Sequence, residues 1–153
     1  MVHKTSRAAI DDFLAQKRLA VVGCSRSGKK FGNVIFKELR SKGYELTPIH
    51  PEAEAIQGVP CATSLAELSA PVDGVVVVVP PKQTVQVVKD AAAASIKRVW
   101  MQQGAESPEA IDFCKENGLS AVHHHCVLMF ADPAPFPHGF HRWLKKTFGT
   151  LPQ

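Results

Sequence analysis

The residues with the clearest chemical potential form a glycine-rich, basic loop near the start of the chain. An apolar run ends at Gly23, and a helical pattern begins near Phe31. A helix start presents unpaired backbone N–H groups and the positive end of the helix dipole, so anions bind there. Arg26, Lys29 and Lys30 add three side-chain cations to the same loop. The sequence therefore predicts a site for a phosphate-bearing small molecule.

The loop is one residue short of the phosphate-binding loop of nucleotide hydrolases. That loop needs serine or threonine after its lysine to hold magnesium, and here Lys30 follows Lys29. The central apolar run also ends at Val79 and Pro80 with no acid to complete a magnesium site. We therefore do not expect nucleotide hydrolysis.

Binding of NAD(P) is a stronger alternative, which the sequence keeps open. A dinucleotide-binding fingerprint needs a second glycine, where this chain has Ser25, and an acid at the end of the second strand. That strand ends at His50 and Pro51, although Glu52 or Glu54 could supply the acid. A small NAD(P)-binding oxidoreductase or redox protein is thus the alternative function.

Composition excludes several other classes of protein. The 153 residues, 45% of them hydrophobic, suffice for one domain with one core. A net charge of +4, mostly dispersed, is too small a basic surface to indicate nucleic acid. The four cysteines lack C-x-x-C spacing, which predicts reduced thiols. No apolar run has the length of a membrane span and the N-terminus lacks a signal-peptide pattern, so we expect no membrane partner and a cytoplasmic location.

Helix and strand signals alternate along the chain, which predicts an α/β domain with a doubly wound, mainly parallel sheet of five to six strands. We expect a single domain over residues 1–153 with its core at about 10–130. The predicted helices cover 6–16, 33–41, 82–95 and 107–117, and a capping box at 64–67 predicts one further helical turn. The predicted strands cover 19–23, 44–49, a short stretch around Val59, 73–79, 98–102 and 120–126.

Ligands of such sheets bind beyond the carboxyl ends of the strands, where the winding direction reverses. In a 3-2-1-4-5 strand order, the reversal lies between the first strand and the central one. The Gly23 loop and the Pro80-Pro81 turn should then face each other across one crevice.

Several short segments, spread over residues 10–130, together form a specific pattern, although no single segment is specific by itself. The segments are Val22-Gly-Cys-Ser-Arg26, Phe31-Gly-Asn33, Gly43-Tyr44, Pro48-Ile-His-Pro51, Ser64-Leu-x-Glu-Leu68, Val72-Asp73, Val79-Pro-Pro81 and Val99-Trp-Met-Gln-Gln-Gly-Ala105. In order and spacing they resemble the small stand-alone CoA-binding proteins. That family has a Rossmann-type fold and is related to the CoA-binding domain of the succinyl-CoA synthetase α subunit.

The resemblance implies a bound coenzyme A or acyl-CoA, with its phosphates over the glycine loop. Ser25 and Arg26 would contact phosphate, with Lys29 or Lys30 nearby. His50 and Pro51 would border the adenosine, Pro80-Pro81 the pantetheine, and Gln103-Gly104 the far wall. The implied binding residues are Gly23, Cys24, Ser25, Arg26, Lys29, Lys30, Phe31, His50, Pro51, Val79, Pro80, Pro81, Gln103 and Gly104.

Two positions depart from the family pattern. His50 stands where asparagine is usual, and Glu52 stands where a basic residue is frequent and would repel a 3′-phosphate. The synthetase relatives use a phosphohistidine on a second domain, for which this chain is too short. Because no general acid–base pair or nucleophile arrangement is evident, we expect binding by a carrier, sensor or regulatory protein and no catalytic residue.

The remaining candidates have ordinary interpretations beside functional ones. Strand alternation should place His124 on the opposite face from His123 and His125, which argues against a metal site there. Cys24, beside a helix start, is either a thiol of lowered pKa or a small buried hydrophobe, and Cys126 leaves the same choice.

The chain ends in a predicted amphipathic helix, residues 136–149. Its aromatic stripe is best explained by packing on the domain, and a basic helix that binds a partner is the alternative. The sequence leaves open whether the chain forms a homodimer or binds another protein.

Overall fold

The central element is a parallel sheet of five strands in the computed structural model, which describes residues 6–131. The strands of the chain are β1 (Arg18–Val22), β2 (Glu45–Ile49), β3 (Ala55–Ile56), β4 (Val59–Pro60), β5 (Gly74–Val77), β6 (Arg98–Gln102) and β7 (Ser120–His125). The main sheet has the order β2-β1-β5-β6-β7, and β3 pairs with β4 in a separate hairpin. The winding direction therefore reverses between β1 and β5, as predicted.

Five helices accompany the strands within residues 6–131. They are α1 (Arg7–Leu14), α2 (Phe31–Ser41), α3 (Pro81–Ala93), α4 (Pro108–Glu116) and α5 (Val127–Phe130). Serine caps begin two of them: Ser6 Oγ accepts from Ala9 N, and Ser107 Oγ accepts from Ala110 N, both at 3.1 Å. Both serines stand at the first position of a predicted helix, 6–16 or 107–117.

Side chains of each inner strand alternate between two helical layers. One layer, made by α1, α2 and α5, covers Leu19, Val21, Val76 and Trp100. The other layer, made by α3 and α4, covers the strand residues that point the opposite way, such as Ala20, Val75, Val77, Val99 and Met101. The prediction of a doubly wound sheet is confirmed, because both faces of the sheet are covered by helices.

The short strand predicted around Val59 forms, but it does not join the main sheet. Val59 lies in β4, which pairs with β3 and not with the main sheet. Ala62 alone reaches the edge of β2, in a single parallel bridge with Ile49. A proline in β4 and glycine-containing turns on this stretch disfavour a longer ladder.

The predicted capping box at 64–67 is also wrong in its chemistry. One 3₁₀ turn forms at Leu65–Glu67, but the side chain of Ser64 makes no capping hydrogen bond. The predicted helix at 136–149 lies outside the described residues. Within residues 6–131 there is no helix with the length and apolar character that crossing a membrane requires.

Candidate functional site

A cleft of about 440 Å³ lies at the carboxyl edge of the sheet, at the reversal between β1 and β5. Its size falls within the range of small-molecule sites. The lining comes from the ends of β1, β5 and β6 and from the starts of α2 and α3. The lining residues are Gly23, Lys30, Phe31, Gly32, Val78, Val79, Pro80, Gln83, Gln102, Gln103, Gly104 and Ala105.

Gly23 and Gly32 allow neighbouring backbone segments to approach each other closely at the ends of the β1–α2 loop. A Cβ on Gly23 would lie 2.1 Å from the carbonyl oxygen of Val78, and Gly23 has a φ of +128°. A Cβ on Gly32 would lie 2.3 Å from the carbonyl oxygen of Gly23. Because each contact is with backbone, no side-chain movement could relieve it. Glycine is therefore required where the first turn of α2 meets the end of β1.

Asn33, in the first turn of α2, holds the loop in place. Its Nδ2 donates to Ser25 O at 2.9 Å, and its Oδ1 accepts from Ser25 N at 2.9 Å and from Ser25 Oγ at 3.2 Å. The side chain is 2% exposed. Asn33 was not among the predicted site residues, although an asparagine inside a helix is an unfavourable choice that hints at a specific bond.

Two helix N-termini open on the cleft without side-chain caps. Lys30 is the N-cap residue of α2 and Pro80 that of α3, and neither side chain makes a capping hydrogen bond. The first turns of both helices also lack acidic residues, whereas α4 has a serine cap and Glu109. Phe31 and Gly32, at the start of α2, line the cleft, whereas α3 offers few N–H groups, because Pro81 has none and Gln83 N already donates to Pro80 O. The positive dipole ends of both helices lie at one cleft, so the site is electrostatically suited to an anion.

The three loop cations differ in their surroundings. Arg26 Nη2 is 3.2 Å from Glu52 Oε2 in an exposed ion pair. Lys30 lines the cleft, and neither Lys30 nor Lys29 forms an ion pair within the described part of the chain. An anion that enters the cleft could therefore bind the lysines without breaking an ion pair, whereas binding to Arg26 would compete with the Glu52 carboxylate.

His50 organises the turn that follows β2. Its Nδ1 accepts hydrogen bonds from Glu52 N at 3.0 Å and from Ala53 N at 2.9 Å. Those bonds require an unprotonated Nδ1, and an asparagine side-chain oxygen would accept them in the same way. His50 therefore acts as a turn-forming residue here, and neither it nor Pro51 lines the cleft.

The far wall is held by polar bonds from buried side chains. Thr84 Oγ1 donates to Ala105 O at 2.6 Å, joining α3 to the loop after β6. Gln102, 3% exposed, accepts from Val127 N at 3.0 Å. Gly104, with a φ of +94°, donates its N–H to Glu106 Oε2 at 2.7 Å. These bonds fix the backbone of the loop opposite α2.

Cys24 is a buried core residue. It is 6% exposed, its Sγ lies 3.5 Å from Gly32 O, and burial raises its pKa to about 12. The interpretation as a thiol of lowered pKa is wrong, because desolvation outweighs the nearby helix start. Cys126 is likewise 6% exposed and packs in the core. Within residues 6–131 all four cysteines are free thiols.

The regular alternation predicted for the three histidines of β7 is wrong. Trp100 pairs with Val122 but Gln102 pairs with His125, so β7 contains one extra residue, and His124 has a φ of +64°. This bulge breaks the alternation and brings His124 Nδ1 within 2.6 Å of His123 Nδ1. His124 Nε2 meets Glu106 at 3.3 Å. No group of three potential metal ligands occurs among residues 6–131.

The predicted site residues divide into three groups. Those that line the cleft are Gly23, Lys30, Phe31, Val79, Pro80, Gln103 and Gly104. Those in the loop beside it are Ser25, Arg26 and Lys29; those outside its lining are Cys24, His50, Pro51 and Pro81. The lining residues outside the predicted binding set are Gly32, Val78, Gln83, Gln102 and Ala105. Each of them is next to a predicted residue in the chain or lies within one turn of it on a predicted helix. This proximity is the sequence signal from which they could have been predicted.

The parallel sheet and its reversal point, with the cleft at that point, define a Rossmann-like α/β domain. The model of the CoA binding domain family matches residues 17–132, and the chain therefore belongs to that family. An NAD(P)-dependent oxidoreductase, the alternative left by the sequence, is not favoured by this match.

The chain is similar to proteins of three kinds. The uncharacterised protein YneT of Bacillus subtilis is 31% identical over 123 residues, covering 80% of this chain and 91% of that protein. A solved structure, a conserved hypothetical protein from Pyrococcus furiosus, is 41% identical with a TM-score of 0.70, covering 73% of this chain and 97% of that one. The α subunit of the ADP-forming acetate–CoA ligase II of Pyrococcus furiosus is 27% identical over 129 residues, but the match spans only 28% of that subunit.

Proposed function

We propose that this protein binds coenzyme A or an acyl-CoA in the cleft between β1 and β5, as a carrier, sensor or regulatory partner that does not transform it. The observation that carries the proposal is the pair of uncapped helix N-termini directed at one cleft. CoA contains a pyrophosphate, and charge-assisted hydrogen bonds to such groups are about twice as strong as neutral ones.

The lining supports a particular orientation of the ligand. The pyrophosphate lies against Lys30 and the amides of Phe31 and Gly32 at the start of α2. The pantetheine follows Val78, Val79 and Pro80 toward the loop after β6, because this wall is apolar. Gln83 and Gln103 supply amides for the peptide-like bonds of pantetheine.

The chemical character of the lining favours binding over catalysis. Among the described residues that line the cleft, Lys30 is the only one with an ionisable side chain, and the others are apolar, glycine or glutamine. A general acid–base pair needs two groups whose protonation states can exchange. Two acids in the adjoining loops, Glu52 and Glu106, are engaged with Arg26 and Gly104.

Calorimetric titration with CoA, acetyl-CoA, NAD, NADP and ATP tests the proposal. We expect CoA or acetyl-CoA to bind most tightly. Loss of one charged hydrogen bond, about 1.5–3 kcal/mol, should make Lys30→Ala bind at least about tenfold more weakly. Lys37→Ala is the matched control, since Lys37 is exposed on the same helix away from the cleft, and it should change the Kd by less than about twofold. Tighter binding of NAD than of CoA, or equal effects of the two substitutions, would refute the proposal.

A further inference from the structure

Glu52 lies beside the loop between β1 and α2. It lies in the turn that follows β2, and the two hydrogen bonds that His50 Nδ1 accepts hold the backbone of that turn. Its carboxylate reaches across to the β1–α2 loop, where it meets Arg26 Nη2 at 3.2 Å. An acid is thus placed at the end of the second strand, next to the crevice.

In sheets of this topology the end of the second strand faces the ribose of a bound adenine nucleotide. An acid there accepts hydrogen bonds from ribose hydroxyls and opposes a ribose phosphate, whereas an unpaired arginine accommodates the phosphate. Here the arginine and the acid are paired with each other. The pair is neutral overall, and the carboxylate adds local repulsion to any further phosphate on the sugar.

We infer that Glu52 is a specificity-determining residue, through which the site prefers an adenosine whose ribose hydroxyls are free, as in dephospho-CoA, to the 3′-phosphorylated ribose of CoA. The inference rests on the proposed function, because it requires the pyrophosphate of the ligand to lie over the β1–α2 loop. Lys29 and Lys30 attract that pyrophosphate in both ligands, so they do not distinguish between them.

The electrostatic effect is moderate, because Arg26 and Glu52 are 63% and 68% exposed. A carboxylate several ångströms from a phosphate in a mostly aqueous setting changes a binding constant by roughly three- to tenfold. We therefore expect dephospho-CoA to bind three- to tenfold more tightly than CoA at low salt. Raising the ionic strength should reduce this ratio, since the repulsion is exposed to screening.

The test is a calorimetric titration of dephospho-CoA and CoA into the full chain and three variants. Glu52→Gln should abolish the preference for dephospho-CoA or turn it toward CoA, because Arg26 is then unpaired, and Glu52→Lys should favour CoA more strongly. Glu54→Gln is the matched control, because Glu54 is an exposed acid in the same segment, and it should keep the wild-type ratio. Circular dichroism verifies that each variant is folded.

The outcomes separate this inference from the function on which it rests. If both ligands bind the wild type but CoA binds as tightly or more tightly, the role of Glu52 is refuted and the proposed function stands. The same holds if Glu52→Gln and Glu54→Gln give the same ratio. If folded wild-type protein binds neither ligand, the proposed function is refuted and the inference with it.

Discussion

Replacing Asn33 by alanine tests whether the loop before α2 is held in shape by one buried side chain. The substitution removes the bonds at 2.9 Å to Ser25 N and Ser25 O and the weaker bond at 3.2 Å from Ser25 Oγ. At about 0.5–1.5 kcal/mol each, these bonds contribute roughly 2–3 kcal/mol. Alanine is the better helix former by about 0.5 kcal/mol, so the net loss of stability should be about 1.5–2.5 kcal/mol.

Urea denaturation and thermal unfolding measure this loss. For a chain of this length, about 1 kcal/mol corresponds to 2–4 °C, so the melting temperature should fall by roughly 3–10 °C. The affinity for CoA should fall as well, because ordering a released loop opposes binding. Asn117→Ala is the matched control: Asn117 is exposed at the end of α4 and makes one local bond, to Phe113 O, so it should lose less than about 1 kcal/mol.

An Asn33→Ala variant with the same unfolding midpoint as the wild type would contradict this reasoning. A loss of stability matched by Asn117→Ala would contradict it equally, because the effect would then not depend on the link to Ser25. A destabilised variant that binds CoA normally would show that Asn33 supports the fold without preparing the site.

Two further predictions concern ionisable groups away from the ligand. Burial raises the pKa of Cys24 to about 12, so a thiol reagent at pH 8 should leave Cys24 unmodified in the native protein and modify it in the unfolded protein. Peptide mass spectrometry measures this difference, and rapid labelling of Cys24 in the native protein would contradict its burial. The hydrogen bond from Arg18 holds the pKa of Asp73 below its usual 3.8, so Asp73 stabilises the fold fully above about pH 4, and this contribution disappears as the pH falls through the lowered pKa. Asp73→Asn should therefore lower the urea midpoint at pH 7 but progressively less below pH 4, and a difference that grows on acidification would show the opposite sign.

The sheet was largely predictable because its sequence signals are strong and local. The run of valines that begins in β5 and continues to Val79 is typical of a strand covered on both faces. Pro80, which follows the run, cannot continue a strand ladder. Ser107 followed by Pro108 begins α4 in sequence and in structure. The position of the cleft follows from the strand order, so the glycine loop and the wall at Val79 and Pro80 were found together.

What the sequence did not predict depends on contacts between distant residues or on one-residue irregularities. The ion pair between Arg26 and Glu52 joins loops 26 residues apart, and nothing in either loop alone indicates it. The extra residue in β7 has no glycine to mark it, so regular alternation was assumed across His123 and His124. Burial of Cys24 was one of the two interpretations that the sequence allowed, and the close approach of Gly32 in the packed fold decides between them.

The outer edge of β2 has few hydrogen-bonding groups left around Pro48 for pairing with another strand. Pro48 O accepts from Ala62 N, and Ala62 O accepts from His50 N, so the outward hydrogen-bonding groups around Pro48 are already used. Pro48 itself has no N–H to offer on that side. A strand from a second molecule would therefore find few free groups with which to extend the sheet, although no full third strand shields it. The single bridge at Ala62 thus gives much of the protection against intermolecular β-pairing that a longer strand would otherwise provide.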